Sequence, residues 1–61
     1  MKVGDLVAFK NLGSSWPSTG LIVRVHKTHH GTGQIHLMTT VMGNCTIPWI
    51  RRDYYMEVIS D

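Results

Sequence analysis

A chain of 61 residues holds one domain, and at that size folding buries only about 60% of the surface the unfolded chain exposes. Six Lys/Arg against four Asp/Glu give a formal net charge of +2, and only Arg51 and Arg52 are adjacent, which excludes the dense basic stripe common among nucleic-acid binders and leaves a mixed, solvated surface. The single cysteine, Cys45, excludes an intrachain disulfide, and no apolar run approaches the ~20 residues of a membrane-spanning helix.

The start has no apolar segment of the kind that marks a signal peptide. The chain therefore reads as a complete short reading frame of a cytoplasmic protein, or of one packaged into a larger particle, with no membrane association. Cys45 reads as a small buried apolar residue.

Taken in order, Val3-Gly4-Asp5-Leu6-Val7-Ala8-Phe9 places a turn dipeptide ahead of a β-rich run, and predicts a first strand over residues 6–10. Residues 11–19 hold Gly, Ser and Pro and predict a loop carrying Trp16. Gly20-Leu21-Ile22-Val23-Arg24-Val25 opens a second strand over residues 20–27, with Leu21, Val23 and Val25 on the inner face and Arg24 and His26 on the outer one. A polar turn over residues 28–33 leads to a third strand over residues 34–40, with Ile35 and Leu37 inward and His36 outward. Met42-Gly43-Asn44 predicts a tight turn, because Gly and Asn accept positive φ cheaply. The fourth strand covers residues 45–50, and Pro48 marks it as an edge or an end because proline donates nothing to a ladder. Arg51-Arg52-Asp53-Tyr54 predicts one 3₁₀ turn, and residues 56–59 the last strand. The expected core is Leu21, Val23, Val25, Ile35, Leu37, Ile47 and Val58. Either Val7 or Phe9 joins it, because adjacent Leu6 and Val7 leave the parity of the first strand open.

This order predicts an all-β protein. Gly4-Asp5-Leu6-Val7 with Gly20-Leu21-Ile22-Val23 resembles the opening of KOW-type modules, and the whole order resembles the five-stranded SH3-like small barrel with one 3₁₀ turn before the last strand. The tail from Trp49 to Ile59 resembles the closing segment of short proteins of tailed bacteriophages. The resemblance implies a small binding or assembly module, phage-encoded and located in the host cytoplasm or the virion. Two features depart from the pattern. Ala8-Phe9-Lys10-Asn11-Leu12 stands where peptide-binding SH3 domains carry an Ala-Leu-Tyr-Asp-Tyr-like segment, and no acidic cluster follows it. The first loop holds only Lys10, where RNA-binding KOW modules are more basic.

In a barrel of that type the first loop, the turn between strands two and three and the 3₁₀ turn converge. Trp16, His29, His30 and Tyr54 are then expected to line one groove, with Trp49 nearby. These five are the candidate protein-binding residues, since Trp and Tyr join large apolar area to a polar tip. A hairpin centred on Gly31 sets His26 opposite His36, but no Cys or carboxylate completes a tetrahedral metal site, so no metal or other cofactor is expected. Lys10, Arg24, Lys27, Arg51 and Arg52 carry the alternative, nucleic-acid binding. No paired carboxylates, no nucleophile with its base and no phosphate-binding loop appear, and Gly31-Thr32-Gly33 is too short to cradle a phosphate, so an enzyme is not expected. Two tryptophans, no disulfide and an edge at Pro48 favour a homo-oligomer. The reading is a non-enzymatic, protein-binding module.

Overall fold

The computed structural model describes residues 1–59. Strands β1 (Leu6–Phe9), β2 (Thr19–Lys27), β3 (Gly33–Thr39), β4 (Gly43–Pro48) and β5 (Met56–Val58) form one antiparallel sheet in the order β4-β3-β2-β1-β5. The first four strands run as a meander, and β5 returns to lie beside β1. Between β4 and β5 come a 3₁₀ turn (Trp49–Arg51) and a single turn of α-helix, α1 (Arg52–Tyr55). The expected β architecture is therefore present, but the 3₁₀ turn lies earlier than expected: β4 ends at Pro48 rather than at residue 50, Trp49–Arg51 form the 3₁₀ turn, and Arg52, Asp53 and Tyr54, expected in that turn, belong to α1. The sheet is open, with β4 and β5 as its edges, rather than closed into a barrel.

Its inner face is nevertheless strongly curved. Ile47 of β4 and Met56 of β5 belong to one buried cluster with Val7, Ile22, Ile35 and Leu37. In a flat sheet these two edge strands would stand about 19 Å apart, at ~4.8 Å per strand. Curling brings them round a common core, against which Phe9, Trp16, Val25, Cys45 and Trp49 also pack.

The core differs from the expected one at β2, and the cause is a β-bulge. Ile22 pairs with Leu37, but the next pair is Arg24 with His36, so Val23 is an extra residue on its strand. One added residue reverses the alternation of side chains between the two faces. Before the bulge, Gly20 and Ile22 point inward, and after it Val25 does. Leu21 and Val23, expected in the core, are instead 43% and 41% exposed, while Ile22 is 1% exposed. Val58, also expected inside, lies opposite Val7 on the edge strand β5 and is 39% exposed; Met56 fills the core there. On β1, Val7 is fully buried and Phe9 is half-buried against the same cluster, which settles the parity left open above.

Local chemistry fixes the approach to β1. Asp5 is buried and accepts hydrogen bonds from the Lys2 backbone N–H (3.0 Å) and from the Lys2 ammonium (2.9 Å). The Lys2 hydrogen bond holds its carboxyl below the ordinary carboxylate range, against the opposing push of burial. Gly4 N–H donates to the Ile22 carbonyl at 2.8 Å, and Ile22 N–H donates to the Asp5 carbonyl at 3.0 Å, so this turn is stitched to β2. Gly20 leaves room for the Phe9 ring: a Cβ there would stand 2.8 Å from Phe9 Cζ.

Candidate functional site

The first loop folds back on β1 through its aromatic residues. Trp16 is half-buried and meets the Phe9 ring edge-on at 5.4 Å. Beside them is a hollow of about 220 Å³ whose lining includes Lys10, Asn11, Trp16 and Ser18. Asn11 adopts a left-handed backbone conformation (φ 61°), which asparagine tolerates better than most residues. Its Nδ2 donates to the Tyr54 carbonyl at 2.8 Å, and Lys10 N–H donates to the Tyr55 carbonyl at 2.8 Å. These bonds tie the loop to α1, which presents Tyr54, 55% exposed, with its ring edge-on to Tyr55.

The hairpin between β2 and β3 forms a second, wider hollow of about 610 Å³, lined by His26, Lys27, Thr28 and His29. Its turn is closed by Thr28 N–H donating to the Thr32 carbonyl at 2.9 Å and by a hydrogen bond between the two threonine hydroxyls at 2.6 Å. His30 is exposed, its ring edge-on to His29 at 6.5 Å. Trp16 and His29, expected to share one groove, thus line different hollows.

The hairpin centres on His30 rather than Gly31, since Val25 pairs with Ile35. His26 therefore lies opposite Gln34, and His36 opposite Arg24, in place of the expected His26–His36 pair. Among the described residues no group of three or more His, Cys, Asp or Glu is placed to hold a metal ion. Cys45 is half-buried, and burial pushes its thiol pKa up, so the thiol is protonated at neutral pH.

Trp49 is half-buried and serves its own chain. Lys27 Nζ stands 5.0 Å from the ring centroid and the Arg52 guanidinium carbon 4.1 Å. Arg52 Nη1 also donates to the Trp49 carbonyl at 2.8 Å. Of the candidate nucleic-acid residues, Lys27 and Arg52 thus meet at this indole with exposed Arg51 next in sequence. Lys10 lies in the first-loop hollow, and Arg24 stands on the outer face of the sheet.

That outer face carries a feature the sequence reading missed. Leu6 lies opposite Leu21, and Leu21 lies opposite Met38, on the face away from the core. They are 38%, 43% and 52% exposed. Ile59 N–H donates to the Leu6 carbonyl at 2.9 Å, which adds the 51%-exposed Ile59 to the same line. The result is an apolar row running across the sheet. On one side of the row, Glu57 stands opposite Ala8; on the other, Arg24 stands opposite His36.

Among the described residues no helix is long and apolar enough to cross a membrane. Comparison with protein-family models, curated proteins and solved structures finds no match to this chain.

Proposed function

We propose that this chain is a small non-enzymatic protein-binding module of the SH3-like type, and that its partner docks on the outer face of the sheet along Leu6, Leu21 and Met38. One observation carries the reading: three large apolar side chains in direct register across three strands, each more than a third exposed, on the face opposite a complete core. Single exposed apolar residues are ordinary on any surface. A contiguous row is not, because each neighbour enlarges the patch that water must cover and a partner would cover instead. The SH3-like part of the proposal draws its support from the strand order, in which a four-strand meander is followed by a short helical turn and a last strand beside the first.

Nucleic-acid binding is a second reading, favoured by the Lys27 and Arg52 cations at Trp49 with Arg51 beside them. The two readings differ in salt dependence. Phosphate contacts release counterions, so affinity falls steeply as salt rises, whereas apolar docking changes little. The test compares what the wild-type chain, Leu21→Lys and Lys27→Ala/Arg51→Ala retain from a cell extract at low and high salt. The proposal expects a protein retained by wild type and by the double variant at both salts, and lost from Leu21→Lys. Salt-sensitive retention of nucleic acid, lost only from the double variant, establishes the second reading in its place.

A further inference from the structure

We infer that the partner on this face is a second copy of this chain, packed sheet to sheet about a two-fold axis that lies along the Leu6–Leu21–Met38 row. The inference rests on the reading of that face as a docking surface and adds the occupant and its orientation.

The outer face carries complementary charges on the two sides of its apolar row. The row separates Glu57 on one side from Arg24 and His36 on the other. Two ways of laying this face on its own copy by a two-fold rotation can be compared. An axis along the strands sets the Glu57 side over the partner's Glu57 side and Arg24 over the partner's Arg24 side. With that axis on β2 the two Arg24 side chains face each other across the ~10 Å that separates packed sheets, while the two Glu57 lie at opposite margins. An axis along the row also lays the apolar row on itself, Leu21 against the partner's Leu21. It carries Glu57 of each copy to the same side of the row as the partner's Arg24 and His36, offset from Arg24 by the two strand spacings between β5 and β2, about 10 Å. Because a two-fold interface is self-complementary, that favourable juxtaposition occurs twice. The second axis is therefore favoured by charges the chain already bears.

A specific interface at the small end buries about 600 Å² per partner, roughly a seventh of the 4177 Å² surface of this chain. Area alone does not fix affinity, so association is followed across the whole range from micromolar to near-millimolar concentration.

The experiment is sedimentation equilibrium from micromolar to near-millimolar concentration on wild type, Leu21→Lys, Glu57→Arg, Arg24→Glu and the double charge exchange Glu57→Arg/Arg24→Glu. Circular dichroism confirms that each is folded, and all substituted residues are exposed. The expected result is a wild-type mass rising from 6.9 kDa toward twice that value. Leu21→Lys stays monomeric, each single charge reversal weakens association about threefold, and the double exchange restores most of the loss. A wild-type mass constant at 6.9 kDa overturns the inference, while loss of a different protein partner from Leu21→Lys keeps the docking face standing. A dimer that survives Leu21→Lys, or one that the double exchange does not restore, also overturns it.

Discussion

Leu6 and Leu21 face each other across β1 and β2 on the outer side of the sheet, while their chain neighbours Val7 and Ile22 are buried on the inner side. Adjacent residues of the same apolar class thus do opposite things, one pair building the core and the other presenting a surface.

Stability should follow that division. Ile22→Ala removes a 1%-exposed side chain and should cost about 3 kcal/mol through lost burial and the cavity left behind. Val23→Ala, on the bulge and 41% exposed, should cost less than about 1 kcal/mol. Urea denaturation of both variants provides the check. A larger loss from Val23→Ala than from Ile22→Ala contradicts the bulged register.

Acid sensitivity should report Asp5. Its folded-state pKa is depressed, chiefly by the hydrogen bond from Lys2. A depressed carboxylate contributes stability that is present above its unfolded pKa and is lost as pH falls through its folded pKa. Wild type should therefore lose melting temperature more steeply than Asp5→Asn as pH drops below about 4. Parallel curves for the two proteins would show that the Lys2–Asp5 contact adds nothing.

Gly20→Ala should disturb a residue distant in sequence. The new Cβ would lie 2.8 Å from Phe9 Cζ and 2.9 Å from Cε2, so the ring must move. Phe9 is held edge-on by Trp16, so the displacement should cost roughly 1–3 kcal/mol. It should also shift the tryptophan emission in proportion to the Trp16 share of the signal. Unchanged emission with unchanged stability indicates that Phe9 has room to swing aside.

Much of this architecture was legible in the sequence. Ile35 and Leu37 alternate with polar neighbours, so β3 and its buried face follow directly from a period of two. β2 resisted the same treatment because Leu21-Ile22-Val23 is an unbroken apolar run. Such a run carries no parity signal, and the bulge that sets its parity leaves no mark in composition. The hairpin centre was ambiguous for a related reason, since Gly31 and Gly33 both accept the positive φ values they adopt, 76° and 128°. Arg52 three residues after Trp49 is a spacing that a helical turn brings together, whereas Lys27 reaches that indole only through the sheet. The outer row needed the register of three strands at once, which no local pattern supplies.

The docking face is tested most directly by following backbone amide resonances through a dilution series from near-millimolar to micromolar concentration. The account predicts that wild-type shifts on dilution are concentrated at Leu6, Leu21, Met38, Glu57, Arg24 and His36, while the resonances of Leu21→Lys do not move over the same series. Shifts confined to Trp16 and Tyr54, or to Lys27 and Trp49, or no shifts at any concentration, contradict it.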